Sequence, residues 1–285
     1  MSDLISELAA LLVQDNAVLF VGAAWRQEQR PLLQAIAEAL AAAMDYRGTD
    51  RTLPAIARDF ELERGRQALI QTVREVVERQ TTALTPLHQV IADVVLPMSK
   101  VITTRFDRTL EQALERAGKP YVLIIRDTDL PFFDESKVTL IKMQGDITQP
   151  DSLVITEDDI EAFLERLPTL SDVVRAFFAT KTLIFLGYDL ESAQFKRFYK
   201  LVTRRLSAYR RPAYAVTGAP LEPREARYWE RENVRLVAED PEVFLRRLAA
   251  AVAALAPAGR APAAATPTAA PIPAALPAQP YKGLT

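Results

Sequence analysis

The 285-residue chain has no cysteine and a single histidine, and glycine is scarce at nine residues. Without cysteine there is no disulfide, no thiolate nucleophile and no cysteine-built zinc site, so zinc is not expected. One histidine, His88, leaves little for a metal centre or a histidine-based triad. No apolar run approaches the roughly 18 residues needed to cross a bilayer, so no membrane association is expected. The opening stretch MSDLISELAALLVQD carries acids and no basic start, unlike a secretory leader. A cytoplasmic location is the expectation. Charge of one sign is missing too. The 35 Lys and Arg are offset by 37 Asp and Glu, for a net charge of −2. Such a balance builds no field for general nucleic-acid binding, and no nucleic-acid partner is expected.

What is present is an ordinary globular composition, 49% apolar and 25% charged, over enough length for one large domain or two small ones. Residues 1–255 form the body. Residues 256–280, APAGRAPAAATPTAAPIPAALPAQP, are almost wholly Ala and Pro. Proline this dense opposes helix and sheet and favours an extended linker. Residues 281–285 follow it, and the expectation is that they begin a further module.

Within the body, short apolar runs alternate with amphipathic segments. Ala17–Gly22, Lys100–Thr104, Tyr121–Ile125, Val138–Met143, Thr182–Gly187, Ala213–Thr217 and Val234–Val237 read as strands. Most are apolar at every position, which suits strands covered on both faces. Helical patterns occupy 3–14, 31–44, 65–80, 107–117, 157–166, 169–180, 191–207, 221–232 and 241–255. The alternation predicts an α/β fold, a doubly wound and mainly parallel Rossmann-like sheet. Residues 45–95 show helix without strand and read as a helical insertion beside that sheet.

In such sheets ligands bind at the carboxyl ends of the strands, so the strand–helix junctions are the candidate site. The first, FVGAAWRQEQRP, ends a strand at Gly22 and continues through Ala23, Ala24, Trp25 and Arg26. A glycine-rich turn here brings backbone N–H groups to a pyrophosphate, and with Gly22 as its one glycine a plain turn remains the alternative. The second, TTRFD, places Thr103 and Thr104 at a strand end and Asp107 at a helix start. Asp107 reads locally as an N-cap, and Arg105 is open to a phosphate or to solvent. The third holds Gln144, Gly145 and Asp146, residues that also suit a simple turn. Downstream, Thr156 with Asp158 and Asp159 marks a helix start with acids in its first turn. The fourth, FLGYD, adds Gly187 and Asp189. Three of the nine glycines thus fall at strand ends, more than scatter predicts.

Taken in order, these four junctions resemble the sirtuin-like NAD-binding family of bacterial defence proteins. That family carries a GAG-type loop, a TTN-hydrophobic-D motif, an HGD-type motif and an LGYS-type strand end. The matching residues here are Gly22-Ala23-Ala24, Thr103-Thr104-Arg105-Phe106-Asp107, Gln144-Gly145-Asp146 and Leu186-Gly187-Tyr188-Asp189. The likeness extends through ARYWERENVRLV and so spans most of residues 1–240. It implies a cofactor site for NAD or ADP-ribose at Gly22, Ala23, Ala24, Arg26, Thr104, Asp107, Gly145, Gly187 and Asp189. It also implies loss of catalysis. The family asparagine that positions ribose or water is Arg105, and the family histidine that acts as base is Gln144, whose amide takes no proton near neutral pH. The usual serine of the first loop is Arg26.

The reading is of a pseudoenzyme that serves as effector or adaptor. Two alternatives stand beside it: an active NAD hydrolase with Asp107 or Asp146 as a substitute base, and a ligand-free interaction module with Trp25 and Arg26 in the cleft. His88 is a remote candidate for a replacement base. The closing PYKGLT resembles the opening of the NTPase module of STAND-type proteins, which implies a downstream NTPase partner in the same polypeptide. By analogy, self-association is expected as well.

Overall fold

Seven strands form one sheet in which every pairing is parallel. The computed structural model describes residues 2–23, 32–80, 84–204, 206 and 211–255. The strands are β1 (Ala17–Val21), β2 (Lys100–Thr103), β3 (Tyr121–Ile124), β4 (Val138–Lys142), β5 (Thr182–Leu186), β6 (Ala213–Val216) and β7 (Val234–Val237). Their spatial order is β3-β4-β2-β1-β5-β6-β7. All seven expected strands are present, each ending within a residue of its anticipated limit. From β1 the chain builds one side of the sheet with β2, β3 and β4, the last inserted between the other two, and then the other side with β5, β6 and β7, so β1 is the switch strand at whose carboxyl end a crevice opens.

Period-two alternation divides the apolar strand residues between two layers. Leu19, Val21, Val101, Leu140 and Ile184 face one core, and Val18, Phe20, Ile102, Ile141 and Phe185 face the other. The first face is covered by α1 (Ser2–Val13), α5 (Pro86–Val94), α6 (Thr109–Arg116) and α11 (Pro241–Leu255). The second is covered by α7 (Glu157–Arg166), α8 (Pro168–Thr180), α9 (Ala193–Thr203) and α10 (Pro223–Arg231). Trp229 of α10, fully buried, packs edge-on against Tyr199 of α9. Both faces are apolar because both are buried, which is why the strands read as unbroken hydrophobic runs.

A third core lies beside the sheet. It joins α2 (Leu32–Ala43), α3 (Leu53–Arg64) and α4 (Arg66–Arg79) to Phe106, Leu153 and Ile155. This is the helical insertion, and it is shorter than 45–95. The α5 segment at its end places Leu87, Val90, Ile91 and Val94 in the first sheet core, so it belongs to the layer that covers the sheet. Ion pairs pin the insertion to the start of α7: Arg66 Nη1 lies 2.7 Å from Asp159 Oδ2 and Arg58 Nη1 lies 2.6 Å from Glu157 Oε2. The start of α7 is as its acids predict, with a Thr156–Asp159 capping box. The Ala/Pro stretch at 256–280 and the closing residues 281–285 lie outside the described residues.

Candidate functional site

The ends of β1 and β5 touch. The Gly22 amide donates to the Leu186 carbonyl at 2.8 Å, and a Cβ on Gly22 would sit 2.3 Å from the Gly187 carbonyl oxygen. Glycine is therefore a packing requirement here, independent of any ligand. Gly187 itself has φ of 67°, which turns the chain sharply out of β5. Gly22→Ala is expected to lower stability by about 2 kcal/mol in urea denaturation, because backbone rather than a flexible side chain must move. An unchanged midpoint would show that the two strand ends do not meet as described.

The β2 junction is stitched to β1. Thr103 Oγ1 donates to the Val21 carbonyl at 2.7 Å and accepts from the Arg105 amide at 3.0 Å. Thr104 Oγ1 lies 3.2 Å from Tyr188 Oη. Arg105 then turns inward. It reaches neither the cleft nor solvent, being 2% exposed, and pairs with Asp107 at 2.6 Å between Nη2 and Oδ2. Asp107 Oδ1 also accepts the Thr109 amide at 3.0 Å and the Thr109 hydroxyl at 2.5 Å. The helix begins at Thr109 with Arg108 at its cap position, so Asp107 is not the N-cap. It holds the first helical N–H from one residue further out. Burial alone would raise its carboxyl, but the Arg105 guanidinium and the Thr109 donors outweigh that and hold it down at about 2.

The β4 junction has the same two-level construction. Gln144 lines the cleft. Gly145, at φ of 78°, lies so close to Ser152 that a Cβ would be 2.2 Å from its carbonyl oxygen. Asp146 points below, accepting from the Thr148 amide at 2.7 Å and from Lys142 Nζ at 2.6 Å. Lys142, the last residue of β4, is fully buried and donates also to the Asp107 carbonyl at 2.5 Å and to Glu111 Oε1 at 2.8 Å. One ammonium thus ties together the β2–α6 loop, α6 and the β4 loop. The Glu111 Oε2 atom accepts no hydrogen bond. Burial, opposed by Lys142, pushes the Glu111 carboxyl up to about 7.

Above this charged layer, one cleft collects residues from all four junctions. Ala23, Thr104, Gln144, Gly187, Tyr188 and Asp189 form its floor and lip. Leu33 of α2, Ile160 and Phe163 of α7, and Phe195, Phe198 and Leu201 of α9 form an apolar wall. Of the sequence candidates, Ala23, Thr104, Gln144, Gly187 and Asp189 come together. Gly22 and Gly145 shape the backbone beneath them. Arg105, Asp107 and Asp146 are buried behind the cleft and do not line it. Ala24, Trp25 and Arg26 lie outside the described residues. His88 is buried in α5 with Nδ1 2.9 Å from Thr85 Oγ1, and it does not line the cleft. Burial and the nearby Arg105 charge push its imidazole down to about 4.

Lys142, Glu111 and the aromatic wall escaped the sequence reading. A lysine in a strand buried on both faces was the available signal, since a buried ammonium must be paired. The wall had no local signal, because it comes from three helices, α2, α7 and α9, that lie far apart in sequence. Among the described residues, no group of three or more His, Asp or Glu is placed to hold a metal ion.

A family model described as "SIR2-like domain" matches residues 99–237, from the start of β2 to the end of β7. This stretch is a SIR2-like domain. Three of the four junctions lie inside it, and the parallel sheet with flanking helices is the architecture that the match implies. The chain is 29% identical over 194 residues to a protein named NAD(+) hydrolase ThsA from Cytobacillus dafuensis, covering 66% of this chain and 38% of that one. It is 26% identical over 159 residues to Defense-associated sirtuin 2 of Bacillus subtilis, covering 53% of this chain and 15% of the relative. A further ThsA, from Bacillus cereus (strain MSX-D12), is 23% identical over 219 residues, 73% of this chain and 43% of its own. The chain thus spans less than half the length of these relatives. Among the described residues, no helix is long and apolar enough to cross a membrane.

Proposed function

We propose that this chain is a SIR2-like effector or adaptor unit of a prokaryotic anti-phage defence or signalling protein. Its cleft binds NAD or ADP-ribose, and its hydrolysis of NAD is impaired or lost. The observation that carries this reading is Gln144. It lines the cleft where the resemblance places a catalytic histidine, and its amide cannot take a proton near neutral pH. Substitute bases are poorly available. Asp107 is locked by Arg105 and Thr109, and Asp146 by Lys142 and Thr148, both behind the cleft. Arg105, at the asparagine position, is turned away into its ion pair. Cofactor binding is supported by the apolar wall, by the polar lip at the switch strand and by the relatives' names. A cytoplasmic setting, self-association and a STAND-type NTPase joined through the Ala/Pro stretch complete the proposal. The last of these rests on PYKGLT alone.

The test pairs a melting curve with an NAD consumption assay on the 285-residue chain. A ligand that binds only the folded state stabilises it by about 2.7 kcal/mol at a hundredfold excess over Kd, an upward shift of several degrees. The expected result is that shift with ADP-ribose and with NAD, and no efficient loss of NAD. Turnover abolished by Asp107→Ala would favour a rearranged hydrolase. A melting temperature indifferent to both ligands would favour an interaction module that binds neither.

A further inference from the structure

We infer that Asp189 reads the ribose diol on the adenosine side of the ligand, so that the cleft accepts a free 2′-hydroxyl and refuses a 2′-phosphate. The inference rests on the preceding reading that the cleft holds NAD or ADP-ribose. The sheet order β4-β2-β1-β5 makes the cleft straddle β1, with Thr104 and Gln144 on one side and Asp189 on the other. A dinucleotide laid across the carboxyl ends of a parallel sheet puts its pyrophosphate at the turn after the first strand and one riboside on either side. With the reacting half over Gln144, the adenosine half falls at the end of β5.

Asp189 is built to be found there. The positive φ of Gly187 turns the chain out of the sheet. Asp189 Oδ1 accepts the Glu191 amide at 3.0 Å, and the Asp189 carbonyl accepts the Ser192 amide at 3.2 Å. The buried Trp229 indole donates to the neighbouring Leu190 carbonyl at 3.0 Å. The turn is thus pinned to the core while the Asp189 side chain stays exposed on the lip. Among the described residues that line the cleft, it alone carries a charge.

A carboxylate only accepts hydrogen bonds, and a vicinal diol offers two O–H donors in the matching geometry. A 2′-phosphate removes one donor and brings negative charge against negative charge. Dinucleotide-binding sheets use an acidic residue to the same end, and an arginine where the 2′-phosphate is accepted.

Calorimetric titration of the full chain with NAD and with NADP tests this. Wild type should bind NAD at least about tenfold more tightly than NADP. Asp189→Asn keeps the oxygen that accepts from Glu191 and removes the charge. As an exposed substitution it should leave the melting temperature within about a degree. It should bring the ratio below about threefold. Equal affinities in wild type, or a ratio untouched by Asp189→Asn, would overturn the role of Asp189 while leaving NAD binding intact. Failure of wild type to bind NAD at all would overturn the underlying reading as well.

Discussion

Lys142→Met is expected to destabilise the fold by about 3–5 kcal/mol in urea denaturation near pH 7.5, the cost of leaving buried charge without its partner. Lys142 is fully buried and faces two carboxylates, Glu111 and Asp146, each 1% exposed. Removing the ammonium orphans both, and frees the Asp107 carbonyl as well. The deficit should depend on pH with a definite sign. Glu111 has its folded pKa raised to about 7 from 4.5. Its protonation therefore favours the folded state, fully below about pH 4.5, and that contribution is lost as the pH rises through 7. Without Lys142 both carboxylates are still easier to neutralise, so the gap between variant and wild type should narrow steadily from pH 7.5 to pH 4.5. Adding Glu111→Gln to Lys142→Met should recover part of the loss at pH 7.5. A gap independent of pH would show that packing, not charge, is what Lys142 supplies.

Arg105→Met carries the second large effect, about 3 kcal/mol or more by the same reasoning. Where Arg105 lies decides between two pictures. An arginine in the cleft or in solvent would cost under about 0.5 kcal/mol to replace. The buried pair with Asp107 predicts several times that. Here the pH dependence runs the other way. The folded pKa of Asp107 is depressed to about 2 from 3.8. Its contribution is present above about pH 3.8 and is lost as the pH falls through 2. The difference between wild type and Arg105→Met should therefore be full at neutral pH and shrink toward pH 2.

The two variants mark where the sequence was legible and where it was not. The strands announced themselves because both faces of a parallel sheet are buried, which leaves runs such as VLFV and TLIFL with no polar positions. The junction glycines were legible for the same local reason, since close approach of β1 to β5 at Gly22 and positive φ at Gly145 and Gly187 admit little else. Side-chain direction was not legible. Nothing in TTRFD tells whether Arg105 points up to a ligand or back to an aspartate two residues on. The answer lies in the buried layer under that loop, where Asp107 takes the guanidinium and Lys142, brought there by the pairing of β4 with β2, holds the Asp107 carbonyl. The expected insertion, 45–95, takes in α5 because that helix has the same periodicity whether it packs on helices or on a sheet. Its third-dimension partner, α11, is more than 140 residues away in sequence.

The central claim is that the cleft still holds NAD while the group that would activate its cleavage is gone. Proton NMR of NAD in the presence of the full chain reads both parts at once. The account predicts broadening of the nicotinamide-ring and adenine resonances as the chain is titrated in, with no free nicotinamide accumulating over hours. Free nicotinamide released at an enzymatic rate would contradict it.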